Sequence, residues 1–193
     1  MKLFKLTVLA IIILCVNCFI IACGNNKGNT EANKNSTNDK ISISDKDNLP
    51  EILKNDTLAE KYTVLVVDTF DTGEPLKVHY CDPQNPNDVK YEKQFFQNGK
   101  LFIEGPLENQ RRNGKWVARY ENGNIWSVGY YKDGLKFGAS NVYYENGKIR
   151  YTKNYEKDVA EGLWEFYDEN GDILGKVMYE NGKKLWEEGT SDQ

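Results

Sequence analysis

Histidine and cysteine are scarce in this chain, which leaves little of the chemistry that metal sites and thiol enzymes need. Among 193 residues there is one histidine, His79, and there are four cysteines. Cys15 and Cys18 lie within an uncharged N-terminal run and Cys23 ends it, so Cys81 stands alone in the rest of the chain. An intramolecular disulfide framework is therefore excluded.

The same scarcity argues against catalysis. Strand alternation places His79 and Cys81 on one face, but a Cys-His nucleophile needs a third group to orient the base, and the sequence offers none beside them. Zinc binding by His79, Cys81 and Asp82 or Asp88 falls short of the four ligands of a structural site. Glycine-rich phosphate loops and serine nucleophile elbows are missing from the sequence. We expect no enzymatic activity, no catalytic residues, no metal and no cofactor.

Basic charge is also in short supply. The chain has 25 Lys and Arg against 29 Asp and Glu, a net charge of −4, which becomes −6 without the two lysines of residues 1–22. Such a balance disfavours nucleic acid and opposes direct contact with lipid head groups. The pair Arg111-Arg112 is interpreted as a solvated loop tip, with a grip on a phosphate or carboxylate as the alternative. Four carboxylates beside turns are interpreted as solvated residues rather than as a catalytic set: Glu121, Glu145, Glu169 and Glu180.

The N-terminus, in contrast, has the features of an export signal. Lys2 and Lys5 precede an uncharged run over residues 6–22, a pattern typical of a signal peptide. The run ends in Ile20-Ile21-Ala22-Cys23, which resembles the lipobox of bacterial lipoproteins. An ordinary membrane anchor is the alternative, but the run is short for a spanning helix of about 20 residues. We therefore predict a lipoprotein signal peptide over residues 1–22.

The lipobox resemblance implies a location. It implies cleavage before Cys23 and lipid attachment to that cysteine. Because Gly24 follows rather than aspartate, it also implies transport to the outer membrane in a host that has one. Residues 23–60 are rich in Asn, Lys, Asp and Ser, so we predict a disordered polar tether, with a short helical turn after Pro50.

The most informative feature of the chain is an internal repeat of 24 residues. Asn-Gly pairs recur at this step: Asn98-Gly99, Asn122-Gly123, Asn146-Gly147 and Asn170-Gly171. Three further columns keep the same step: Leu101, Ile125, Ile149 and Ile173; Leu107, Tyr131, Tyr155 and Tyr179; Gly114, Gly138 and Gly162. A period of this length predicts a repeat array in which each unit buries its apolar face against its neighbours.

Each unit is predicted to be a β-hairpin. Asn-Gly between alternating residues is typical of a two-residue type I′ turn. In that register Trp116 lies opposite Gly129 on the packed face, which Ile125 shares. Side chains on the other face include Trp126, Tyr130 and Tyr143. The predicted fold is all-β, an elongated single-layer antiparallel sheet of stacked hairpins.

Three segments make up the rest of the predicted organisation. Residues 61–90 form a degenerate hairpin or N-terminal cap, residues 91–186 form the repeat domain, and residues 187–193 form a polar tail. In the fourth unit the sequence is compatible with two turn lengths. A two-residue turn places Asp168 in the column of Tyr120, whereas a three-residue Glu169-Asn170-Gly171 turn places Tyr167 there.

The repeat strings resemble a known family. Gly-Lys-Trp-Val-Ala-Arg-Tyr-Glu-Asn-Gly at 114–123 and Gly-Leu-Trp-Glu-Phe-Tyr-Asp-Glu-Asn-Gly at 162–171 look like MORN repeats of the bacterial variant type, and the similarity covers about residues 91–186. The resemblance implies a twisted single-layer sheet with a groove of aromatic side chains. Many such proteins carry the name YwqK-family antitoxin, which implies neutralisation of a partner toxin.

Some residues depart from the repeat pattern. Lys153 and Val177 stand where Gly105 and Gly129 are expected, and Ser140 stands in the column of Trp116 and Trp164. We interpret these departures as weighing against a fixed ligand groove.

A non-enzymatic binding module is the function that these patterns favour. It is a lipid-anchored protein of the cell envelope that presents its repeat surface to an unidentified protein or peptide. Trp126, Tyr130 and Tyr143 are predicted to form the binding stripe, with aromatic cover of a thin sheet as the alternative. An antitoxin whose partner is a toxin and, less favoured, a cell-wall-active enzyme are the other functions. Membrane contact is expected through the N-terminal lipid.

Overall fold

The computed structural model describes residues 41–43 and 48–189, and these form one antiparallel sheet. Twelve strands follow one another across it in chain order, and the short β6 pairs with β5 beside that path. The all-β prediction is therefore confirmed. The strands are β1 Ile41–Ile43, β2 Thr63–Thr69, β3 Pro75–Asp82, β4 Asn85–Phe95, β5 Leu101–Glu108, β6 Arg111–Arg112, β7 Gly114–Arg119, β8 Ile125–Lys132, β9 Leu135–Tyr143, β10 Ile149–Glu156, β11 Val159–Tyr167, β12 Ile173–Glu180 and β13 Lys183–Gly189.

The main hydrophobic core lies at the N-terminal end of this sheet. Two short 3-10 helices, Glu51–Leu53 and Thr57–Glu60, carry apolar side chains onto strands β2 to β4. The buried members of the core are Leu49, Leu53, Val64, Val66, Val78, Tyr80 and Phe95. Among the described residues, no helix is long and apolar enough to cross a membrane.

This core corrects the predicted extent of the tether. Residues 48–60 are packed rather than disordered, because Leu49 and Leu53 offer apolar surface that the sheet buries. Strand β1 also pairs with β2. The predicted signal peptide over residues 1–22, Cys23, and residues 24–40 and 44–47 of the predicted tether lie outside the described residues. At the other end the predicted tail over residues 187–193 begins inside β13, which continues to Gly189.

The Asn-Gly turns differ from the predicted type. At Asn122-Gly123 the N–H of Gly123 donates to the carbonyl of Tyr120 and the N–H of Tyr120 donates to the carbonyl of Asn124, each at 2.9 Å. Glu121, Asn122 and Gly123 thus form a three-residue turn in which only the glycine takes a positive φ, of 92°. The other three Asn-Gly pairs of the 24-residue step repeat this turn, so the three-residue alternative holds for the fourth unit as well.

Two-residue type I′ turns are present, but at the opposite ends of the strands. There both central residues have positive φ, and in two of the four turns the second of them is glycine. These turns also keep the step of 24 residues: Asn109-Gln110, Asp133-Gly134, Lys157-Asp158 and Asn181-Gly182. Each unit therefore contains two different turns, one at each end of its strands.

The longer turn changes which residues share a face. With three residues in the turn, Ile125 pairs with Arg119 instead of Tyr120. A bulge at Trp126 then restores the predicted pairing of Ser127 with Ala118. Ile125 and Trp126 consequently exchange faces relative to the prediction, because directly opposed residues point to the same side of a sheet. The same shift recurs at Phe102, Arg150 and Leu174.

Candidate functional site

A cavity of about 280 Å³ opens on one face of strands β5 to β10. We call this side of the sheet the cavity face, and the other side the opposite face. Besides the aliphatic side chains of Ile103, Ala118 and Val142, the lining contains cations, aromatic rings and hydroxyls. It has the cations Arg112, Lys136 and Lys153, the aromatic rings of Trp116, Trp126, Tyr131, Tyr151 and Tyr155, and the hydroxyls of Ser127 and Ser140.

The cavity exists because the third unit lacks a tryptophan. In the second unit Trp116 is 3% exposed and covers Gly105 so closely that a Cβ on that glycine would lie 2.3 Å from the ring. The equivalent pair in the third unit is Ser140 beside Gly129, where a Cβ would meet only Tyr131 at 3.6 Å and Ser140 at 3.8 Å. The small serine leaves open the space that an indole fills one unit earlier.

Lys153 replaces the next glycine of the same column. It pairs in register with Ser140, and its Nζ lies 4.4 Å from the ring centre of Tyr151 and 4.6 Å from that of Trp164. Burial lowers the pKa of the Lys153 ammonium, and the nearby charge of Lys136 lowers it further. Two of the three departures that weighed against a groove in the sequence, Ser140 and Lys153, thus line this cavity, whereas Val177 does not.

The other two cations also rest on aromatic rings. The guanidinium of Arg112 lies 4.0 Å from the ring centre of Trp116 and 5.4 Å from that of Tyr131, and Lys136 Nζ lies 4.9 Å from the ring centre of Tyr155. Backbone hydrogen bonds to the next unit fix the positions of Arg112 and Lys136. The carbonyl of Arg112 accepts from the N–H of Gly134, and the carbonyl of Lys136 accepts from the N–H of Asp158. Arg112 is therefore positioned by the fold and is not the solvated loop tip predicted.

Carboxylates do not balance these charges. Within residues 48–189, no ion pair joins Arg112, Lys136 or Lys153 to an acidic side chain, and no Asp or Glu lines the cavity. Asp158 does approach Lys136, but its carboxylate accepts from the backbone N–H at 2.7 Å rather than from the ammonium. The cavity is a positively charged region on an acidic protein.

The predicted binding stripe is divided between the two faces. Trp126 lies on the cavity face, where its ring stacks on Phe102 at 6.3 Å and contacts Tyr120 at 6.4 Å. Tyr130 and Tyr143 remain on the opposite face, and Tyr130 is the more exposed of the two. The bulge after the three-residue turn is the cause, since it reverses the direction of Trp126.

The remaining predicted candidates have structural partners. His79 Nε2 lies 2.9 Å from a carboxylate oxygen of Glu92, and Cys81 is buried within β3. Among residues 41–43 and 48–189 there is no group of three or more side chains suited to holding a metal ion. The four turn carboxylates are all exposed: Glu121, Glu145, Glu169 and Glu180.

Sequence reasoning noted Arg112, Ser140 and Lys153 without recognising that they belong to one site, and it did not single out Lys136. Ser140 and Lys153 lie opposite each other in register, so one departure removes a large side chain and the other adds a charge at the same place. Two departures at paired positions of one unit are the signal that marks this location. Arg112 and Lys136 also carry a signal, because they lie 24 residues apart and share one column with Ala160 and Lys184, so three of its four residues are basic.

Comparison with known proteins agrees with the repeat architecture. Residues 112–133, 138–157 and 160–181 match the MORN repeat variant family. No curated protein matches the chain. The three matched segments contain most of the cavity, including Arg112, Trp116, Ser140 and Lys153, so this part of the chain is similar to MORN repeats.

Proposed function

We propose that this chain is a non-enzymatic, lipid-anchored protein of the cell envelope that binds a protein or peptide through the opposite face of its repeat sheet. The single observation that carries this proposal is the exposed apolar surface of that face. MORN-type repeats are in general binding repeats, and this surface gives the present array a place for a partner.

Exposed isoleucines recur along the opposite face. Ile125, Ile149 and Ile173 are each between 37% and 41% exposed, and they pair with Arg119, Tyr143 and Tyr167. All the large hydrophobic side chains that the structure exposes lie between residues 125 and 186. Exposed apolar side chains that recur on one face, as Ile125, Ile149 and Ile173 do, form a candidate interaction surface.

Aromatic residues extend the same surface toward the type I′ turns. Lys132 pairs with Leu135, and Lys132 Nζ lies 5.6 Å from the ring centre of Phe137. Tyr130 and Lys132 are two residues apart in β8, so their side chains point to the same face. Tyr130 therefore shares this face with Leu135 and Phe137, and it is exposed. Aromatic side chains supply much of the binding energy in protein interfaces.

A variant with two substitutions on the opposite face tests the proposal. We expect Tyr130→Ser with Phe137→Ser to abolish photocrosslinking of the partner in the cell envelope while circular dichroism shows an unchanged fold. The matched control is Trp126→Ser on the cavity face, which should leave crosslinking intact. Retained folding with unchanged crosslinking in the double variant would reject this surface. A toxin identified in the crosslinked product would support the antitoxin role that the family resemblance suggests.

The anchor is supported by the sequence motif alone. We expect Cys23→Ser to abolish lipid attachment and to leave the signal peptide uncleaved. Mass spectrometry of the membrane fraction measures both. A mature protein that begins elsewhere and carries no lipid would contradict the anchor and would leave the binding proposal to its own test.

A further inference from the structure

We infer that the cavity is a binding site for a small dianion, a phosphate monoester or a dicarboxylate, held by Arg112, Lys136 and Lys153. The site lies on the face opposite the proposed partner surface and does not depend on that proposal. Three features indicate such a ligand: the charge of the three cations, the aromatic rings that support them and the space between them.

Three cations line one cavity of about 280 Å³ without a carboxylate among the described lining residues. Lys136 lies close enough to Lys153 for its charge to lower the pKa of the Lys153 ammonium. Like charges brought together in partly buried surroundings repel one another, and an anion between them removes that repulsion. A ligand with two negative charges matches this set better than a monoanion does, and a phosphate monoester carries about −1.5 to −2 charge at neutral pH.

Aromatic rings hold the cations at their places. Arg112 rests on Trp116, Lys136 on Tyr155, and Lys153 between Tyr151 and Trp164. Each cation is thereby fixed by a neutral support that leaves its charge free for a ligand. A guanidinium with two ammonium groups suits phosphate and carboxylate oxygens, since Arg binds such groups in a bidentate manner and Lys binds them as a point charge.

The cavity also has room for the body of a small molecule. Its volume is near the lower end of the range of ligand pockets, about 300 Å³. The hydroxyls of Ser127 and Ser140 line it and offer hydrogen bonds to a polar body. The ligand is therefore an anionic molecule of modest size rather than a bare ion.

Calorimetric titration of the full-length chain in detergent tests this site. The probes are glucose 6-phosphate, a phosphate monoester, and succinate, a dicarboxylate, with glucose as the neutral control. We expect saturable binding of at least one dianion and none of glucose. The stronger of the two dianions identifies the chemical source.

Two variants and a matched control locate the binding. Lys153→Met keeps the aliphatic stem and removes the charge, so affinity should fall about tenfold or more. Ser140→Trp restores the residue of its column and fills the cavity, so binding should be lost while the melting temperature is kept or raised. Lys115→Gln removes an exposed lysine of β7 outside the cavity lining and should leave affinity unchanged.

Several results would overturn the inference. These are the absence of saturable dianion binding by the unaltered chain, equal binding of glucose, full affinity in folded Ser140→Trp, or an equal loss of affinity in Lys115→Gln. Should Ser140→Trp fail to fold, Lys153→Met decides alone. Unchanged affinity in that variant would overturn the site.

Discussion

Single residues decide where this sheet is closely packed and where it is open. Trp116 covers Gly105, and its indole N–H donates to the carbonyl of Pro106 at 3.0 Å. Trp164 makes the equivalent bond to the carbonyl of Asn154 at 3.1 Å but is less buried than Trp116. The two tryptophans of one column therefore differ in burial, and their equivalence in sequence does not predict that difference. Trp164 rests on Lys153 where Trp116 rests on a glycine.

Two glycine substitutions in adjacent units test this packing. Gly105→Ala would place its Cβ 2.3 Å from the Trp116 ring, so we expect a loss of about 1–3 kcal/mol in the free energy of unfolding. Gly129→Ala is the matched control, since its Cβ has ordinary contacts at 3.6 Å and 3.8 Å, and its change should stay within about 0.5 kcal/mol. Urea titration measures both. Equal effects would show that the indole does not cover Gly105.

Asp56 connects the 3-10 segment to the sheet. Its carboxylate accepts from Tyr80 Oη and from Lys93 Nζ, each at 2.6 Å, and from the N–H of Leu58 at 3.0 Å. Burial raises the pKa of the Asp56 carboxyl, but hydrogen bonds from Lys93, Tyr80 and Leu58 together with the charge of Lys93 outweigh burial and hold that pKa below its usual range. Ionised Asp56 therefore stabilises the fold.

The sign of this shift predicts acid sensitivity. A carboxyl with a depressed pKa in the folded state contributes its stability above the unfolded pKa of about 3.9 and loses it as the pH falls through the folded pKa. We expect Asp56→Asn to lower the free energy of unfolding by about 1–3 kcal/mol at pH 7. That difference from the unaltered chain should shrink below about pH 4. Denaturant titrations at pH 7 and pH 3 measure it, and a difference that grows in acid would contradict the assignment.

At the scale of the hairpin, the sequence period located the four Asn-Gly turns from Asn98-Gly99 to Asn170-Gly171 but did not determine their type. Asn-Gly suits a type I′ turn and equally suits the last two residues of a three-residue turn, so dipeptide preference does not separate them. The register of the two strands next to the turn depends on whether the turn has two or three residues. The exchange of Ile125 and Trp126 between faces follows from it, and so does the division of the predicted stripe. Pairings beyond the bulge, such as Trp116 with Gly129, are those that alternation predicts.

The type I′ turn at Lys157-Asp158 gives a prediction at this scale. Lys157 has φ of 51°, which costs an ordinary residue about 1–2 kcal/mol, and asparagine tolerates it better. Asp158 should be kept, because its carboxylate accepts from the N–H of Lys136. We expect Lys157→Asn to raise the free energy of unfolding by about 0.5–1 kcal/mol. Thermal unfolding measures the gain.

The corresponding turn of the preceding unit supplies the control. Asp133-Gly134 already has a suitable pair, with φ of 52° and 88°, so Asp133→Asn should change stability little. A similar gain in both variants would show that relief of the positive φ at Lys157 is not responsible, since Asp133 already tolerates its conformation.

Across the whole described sheet, burial is unequal from one end to the other. The cluster around Leu53, Val78 and Tyr80 forms the N-terminal core, whereas every residue of β13 is exposed. Periodicity in the sequence could not locate that core, because Leu49 and Leu53 precede the repeats and belong to a segment whose composition is mostly polar. Their burial depends on contacts with β2 to β4, which are distant in sequence. The cavity was not predicted because its lining combines side chains from several units, and the repeat pattern does not show how those side chains meet.

This inequality predicts that the sheet opens from its C-terminal edge. Each strand of a repeat array contacts mainly its neighbours, so the last strand has support on one side only. Strand β13 pairs with β12 alone and exposes Leu185 and Trp186. In hydrogen exchange followed by mass spectrometry, we expect amides of β3 to be protected at least about 100-fold more than those of β13, because local opening of an exposed edge costs far less than global unfolding. Protection of strands β8 to β11 should lie between these limits.

Deletion of residues 183–193 is the control, and it should leave the protection of β3 unchanged. Equal protection in β3 and β13 would show that the sheet unfolds as one cooperative unit.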